Sequence, residues 1–122
     1  MAVTAVTPVK LDWNTVNPDA LTFTAASVAA DGFTVPHAYG DDKTLLVFYN
    51  SNGSTTARTF TVKAGDSIQG VVDLESGDVA AGKYAMLAVE SGRFKNVTGD
   101  NKGKLLIIPS HAELKMAAIV LP

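Results

Sequence analysis

The residues able to do chemistry are few and scattered. His37 and His111 are the only two imidazoles in 122 residues, and neither sits in an HxH or HExxH pattern. A metal site would need both to meet Asp or Glu through the fold. The simpler expectation is a surface-loop histidine, as in VPHAYGDD around His37. Asp41 and Asp42 could offer carboxylate oxygens to Ca²⁺, but the D-x-[DN]-x-[DN]-G spacing of a calcium loop is missing, which favours a polar loop leading into a strand. Ser91 in VESGRF and Ser110 beside His111 are the nucleophile-like settings. Neither lies in GxSxG, and adjacency in sequence does not bring a hydroxyl onto an imidazole. Asp73 and Glu75 would share one strand face, which alternation at a strand end explains without a glycosidase pair. The chain has no cysteine, so disulfides and thiolate metal sites are excluded. The residues therefore argue against an enzyme and assign no cofactor or metal.

One glycine-containing stretch needs a decision of its own. Tyr49–Thr59 is YNSNGSTTART, between TLLVF and FTVKAGD. A phosphate-cradling loop needs GxxxxGK[ST] or GxGxxG spacing ahead of a helix, and a strand pattern follows here instead. The expectation is a β-hairpin turning at Asn52-Gly53, both residues taking positive φ. Asn96-Val97-Thr98 and Asn52-Gly53-Ser54 match the glycosylation acceptor pattern, which matters only in a secretory pathway.

The elements that would position these residues are strands. Short segments rich in Val, Thr, Ile and Phe alternate with turn residues at Asp31-Gly32, Asn52-Gly53, Gly65-Asp66, Gly77-Asp78, Ala81-Gly82, Ser91-Gly92 and Thr98–Gly103. Strands are expected over 22–25, 32–35, 43–50, 57–64, 67–74, 84–90, 104–109 and 115–121. The one helical candidate is Ser110–Met116, with Ser110 and Glu113 at capping-box spacing. About eight short strands without long helices describe an all-β, antiparallel β-sandwich or jelly-roll-like domain over residues 21–122. Residues 1–20, with two prolines and little alternation, are expected to form an irregular N-terminal arm. Val9, Leu11 and Trp13 are its apolar anchors for a partner.

Composition narrows the partners. Charged residues make up 18% of the chain, below the roughly 25% of a typical soluble domain. Net charge is -2, and Arg93, Lys95, Lys102 and Lys104 lack interleaved aromatics, which disfavours nucleic acid. No apolar run reaches the roughly 18 residues of a membrane span, and MAVTAVTPVKLDWN lacks the basic start of a signal peptide, so the default is a protein that stays in the cytoplasm where it is made or leaves by a route other than secretion. The last strand carries Met116, Ala118 and Val120 on one face and Ala117, Ile119 and Leu121 on the other. Two apolar faces in a small sandwich suggest that a second subunit covers one of them.

The order of segments also resembles a known family. Ala25–Phe33 (AASVAADGF), Asp42–Asn50 (DKTLLVFYN), Arg58–Lys63 (RTFTVK), Val79–Tyr84 (VAAGKY) and Met116–Leu121 (MAAIVL) follow one another as in small virion proteins of tailed bacteriophages, of the head-decoration or capsid-cement type. The resemblance spans most of residues 21–121 and leaves the arm unmatched. It implies a homo-oligomer, with a trimer favoured, that binds the major capsid protein on the outside of the head and has no catalytic residues. A tail or head-fibre role belongs to the same class. The rival expectation is a glycan-binding or adhesion module using Phe33 and Tyr39.

Overall fold

The computed structural model describes residues 3–122 and is almost entirely β, in two packed mixed sheets. Its elements are β1 (Thr4–Ala5), β2 (Val9–Lys10), β3 (Phe33–Pro36), β4 (Thr44–Asn50), β5 (Phe60–Val62), β6 (Leu74–Glu75), β7 (Tyr84–Leu87), α1 (Ser91–Phe94), β8 (Lys104–Pro109) and β9 (Leu114–Val120). One sheet has the order β1-β3-β8-β5-β6, the other β2-β9-β4-β7. The all-β sandwich expectation holds. The purely antiparallel one does not, because β1 pairs with β3 and β2 with β9 in parallel.

Alternation places the core. In β8, Leu105 and Ile107 face inward while Leu106 and Ile108 are half-buried on the other side. Phe33 and Val35 of β3, Phe60 and Val62 of β5, Leu46 and Phe48 of β4, and Met116 and Ala118 of β9 complete the layer between the sheets. The outward face of β4 and β9 is also dry: Val47, Ala117 and Ile119 are buried within the single chain. Phe23 lies at its rim, with its ring 5.6 Å from Tyr49 and 5.8 Å from Tyr84. The second apolar face of the last strand is thus no longer an argument for a second subunit.

The YNSNGSTTART stretch is not a hairpin. β4 and β5 lie in different sheets, so the loop carries the chain across the sandwich, and neither Asn52 nor Gly53 takes positive φ. Phe48 and Phe60 face each other between the sheets, ring centroids 3.7 Å apart and planes 11° from parallel. The loop's shape comes from asparagine side chains. Asn50, fully buried, donates from Nδ2 to the carbonyls of Thr56 (3.0 Å) and Val79 (2.9 Å), and its Oδ1 accepts from Asn52 N–H. Asn52 Oδ1 in turn accepts from the Ser54 and Thr56 amides. A Cβ at Gly53 would meet nothing within 4 Å. Gly53→Ala is therefore expected to change the unfolding free energy by no more than about 1 kcal/mol, in the stabilising direction. A urea melt showing a loss above about 2 kcal/mol would restore the tight-turn reading.

Other expected elements shorten or move. The 22–25 segment contributes a single bridge, Thr24 to Met116, and 57–64 becomes β5 plus the bridge Arg58–Val79. In 67–74 only Leu74 enters a strand, because the Gly70 amide folds back onto Ser67 O (2.9 Å). The helical candidate Ser110–Met116 reduces to a single hydrogen-bonded turn, Leu114 N–H donating to His111 O at 3.1 Å, because the Glu113 carboxylate turns to Asn52 and Arg58 and Leu114 begins β9. Among the described residues the one helix is the single turn α1, which buries Phe94. No helix among the described residues is long and apolar enough to cross a membrane.

Candidate functional site

The fold brings together three residues that looked separate in sequence. Asp41 Oδ2 accepts the Ser91 N–H at 3.1 Å, and Asp41 Oδ1 lies 3.7 Å from His37 Nε2. The order is wrong for nucleophilic catalysis. A serine is activated when imidazole stands between hydroxyl and carboxylate, whereas here the carboxylate stands between the other two. His37 is only 2% exposed, and neither ring nitrogen has a hydrogen-bond partner, so the expected surface histidine is in fact buried at the end of β3. What the arrangement does is tie the loop before β4 to the start of α1. The Ser91 amide above all, helped by the Ser91 hydroxyl, His37 and Lys95, holds the Asp41 carboxyl below the usual range against the opposing effect of burial.

The second pair is also engaged in structure. Ser110 Oγ accepts from the Thr59 amide (2.9 Å), and His111 Nδ1 accepts from the Glu113 amide (3.0 Å), so hydroxyl and imidazole are directed at backbone. Glu113 Oε1 takes Asn52 Nδ2 at 2.9 Å and Arg58 Nη2 at 2.8 Å, binding the sheet-crossing loop to the turn before β9. Among the described residues no group of three His, Asp or Glu is placed to hold a metal ion.

Asp73 serves the loop ahead of β6: it accepts from Ala64 N–H and Lys63 Nζ, both at 2.7 Å. Asp66 does likewise for the Val97 amide and the Thr98 hydroxyl. Asp73 and Glu75 do line one cleft with Val71 and Val72, but the Asp73 charge is neutralised by Lys63.

These ties set an acid response. Hydrogen bonds from the Ala64 amide and Lys63 lower the Asp73 carboxyl. The Thr98 hydroxyl and Val97 amide lower Asp66, and Asn52 and Arg58 lower Glu113. A carboxyl lowered in the folded state binds fewer protons there than in the unfolded chain. Its stabilisation is present above the unfolded-chain value near pH 4 and is lost as pH falls through the folded-state value. The thermal midpoint is expected to drop between about pH 4 and pH 2, and Asp73→Asn to flatten that drop while lowering the midpoint at pH 7. A wild-type midpoint unchanged from pH 5 to pH 2 would contradict this.

The expected arm is a fastened loop. Val9 pairs with Ile119 in β2, Leu11 N–H donates to Val120 O at 2.8 Å, and both side chains are half-buried. Thirteen residues after Leu11, Thr24 returns to the same strand at Met116 through two backbone bonds of 2.9 and 3.0 Å. The segment between bulges outward and carries Trp13, 77% exposed, and Val16, 89% exposed, with Leu21 beside them in sequence and also exposed. Of the three anchors expected, Trp13 is exposed, while Val9 and Leu11 are half-buried against β9. The exposure of Val16 and Leu21 has no local signal, because nothing in NTVNPDAL tells that both ends of the segment are tied to one strand edge.

Of the aromatics expected to hold a glycan, Phe33 is fully buried, and Tyr39 is half-exposed with Lys10 Nζ 5.5 Å from its ring centre. A saccharide would therefore have no access to Phe33. The exposed ring of the outer face is Tyr84, stacked on Tyr49 with centroids 4.7 Å apart.

Comparison with known protein families, with curated proteins and with solved structures returns no match.

Proposed function

We propose that the chain is a non-enzymatic structural protein of a phage virion that binds the outside of the capsid through the loop between Leu11 and Thr24. The observation that carries this is the projection of Trp13 and Val16 from a segment fastened at both ends to β9. An exposed tryptophan beside an exposed valine has the composition of an interface anchor, and a loop already held at both ends loses little further entropy on docking. The segment order of residues 21–121 supplies the class of partner, a major capsid protein. The carboxylates of Asp41, Asp73 and Glu113 are occupied in tying loops together, which agrees with a structural role. Binding only the assembled shell would stabilise it by mass action, in proportion to the logarithm of free protein over Kd.

The test is co-sedimentation of the purified full chain with assembled head shells and with the unassembled capsid protein of the phage that encodes it. Saturable binding to shells alone is expected. Equal binding to both, or none, would reject the reading.

A further inference from the structure

A second apolar projection lies far along the chain from the first. The loop between β5 and β6 reads DSIQGVVD from Asp66 to Asp73. Ile68 is 97% exposed, Val71 77% and Val72 64%. Flexibility does not account for this, because polar ties hold the loop on every side. Gly65 N–H donates to Arg93 O, Ser67 Oγ to Gly92 O, and Asp66 and Asp73 accept as described above. A Cβ at Gly70 would stand 1.8 Å from Gly65 O, and one at Gly65 2.5 Å from Lys95 O, so only glycines allow this close packing. The loop is built to hold three aliphatic side chains in water.

The same side of the sandwich is open. β6 and β7 each lie at one edge of their sheet, paired on one side only, and between them runs a groove of about 220 Å³. Phe60, Leu74, Ala85, Met86 and Leu87 line it, with Glu75 and Ser76 at the rim. That volume is below the roughly 300 Å³ at which small-molecule sites begin and suits one or two aliphatic side chains. The chain's own loop leaves Ile68 almost wholly exposed, so the groove is not filled from within.

We propose that the groove between β6 and β7 of one copy receives Ile68 and its neighbours Val71 and Val72 from a second copy of the chain. Projection and groove are both apolar, and both are present on every copy. Ile68, Val71, Val72 and Met86 together expose on the order of 500 Å² of largely apolar area, rather less than half of what a small specific interface buries before backbone and rim are added. An anionic bilayer is a poor alternative occupant, because Asp66 and Asp73 flank the projection. Since the loop holds its shape by bonds already made, docking costs little ordering.

Self-association is measured on the isolated chain without capsids, so its failure and failure of the capsid reading are separable. Light scattering at about 100 μM is expected to give a multiple of the chain mass for the wild type. Ile68→Asp and Met86→Lys are each expected to give folded monomers, checked by circular dichroism. An equimolar mixture of the two variants is expected to pair, because it restores one intact loop facing one intact groove. A monomeric wild type, variants that keep the wild-type mass, or a mixture that stays monomeric would each overturn the proposal. So would Ile68→Asp abolishing shell binding while the wild type is monomeric, which would make the capsid the occupant.

Discussion

Phe48→Ala is expected to lower the unfolding free energy by about 4 kcal/mol, with a fall of roughly 15 °C in the thermal midpoint. Phe48 is fully buried in β4, and its ring lies flat on Phe60 from the opposite sheet. Truncation removes the ring's transfer energy and leaves a cavity between two sheets that β-pairing holds in place, so collapse around the hole is limited. Phe60→Ala should cost a similar amount. Because the two rings are each other's packing surface, the double variant should lose less than the sum, by about 1 kcal/mol or more. Urea unfolding of the four proteins measures this directly. Strict additivity would mean that the rings do not meet, and would undo the placement of β4 and β5 in separate sheets.

Trp13→Ala combined with Val16→Ala should act in the opposite way. Both side chains are largely in solvent, so the thermal midpoint should stay within about 2 °C of wild type. Affinity for assembled shells should fall by at least about 100-fold, since interface anchors commonly contribute about 2 kcal/mol or more each. Val9→Ala and Leu11→Ala supply the contrast. Their side chains are half-buried and their backbone is bonded to β9, so they should lower stability by about 1 kcal/mol and leave shell binding largely intact. A double variant that binds shells as well as the wild type would remove the loop from the proposed mechanism.

The tests sort residues that look alike in sequence. Val9, Leu11, Trp13 and Val16 are four apolar residues within one short segment, yet two pack against their own sheet and two project from it. The difference lies in bonds to β9, a strand about a hundred residues further along the chain. Local pattern carries no record of such a bond, and the short parallel additions β1 and β2 show no alternation long enough to notice. The Asn52-Gly53 pair fails for a related reason. Asn-Gly favours a hairpin only where the flanking strands pair with each other, and β4 and β5 pair instead with β9 and β8. Once the chain must cross the sandwich, the buried Asn50 and the Asn52 carbonyl shape the loop, and Gly53 needs no special backbone angle.

What the sequence determined by itself is what depends on period and composition. Alternating Val, Ile, Leu and Phe between frequent turn residues specify short strands with one dry face, so β4, β8 and β9 appear within a residue or so of their expected limits. The absence of cysteine and of any spaced ligand motif likewise needs no coordinates. Only the tertiary structure decided which strands are neighbours, that Asp41 stands between His37 and Ser91, and which apolar side chains remain in water. Each of these is a matter of long-range pairing. A strand presents the same hydrogen-bonding edge to any partner, and burial is a property of what lies opposite a side chain rather than of the side chain itself.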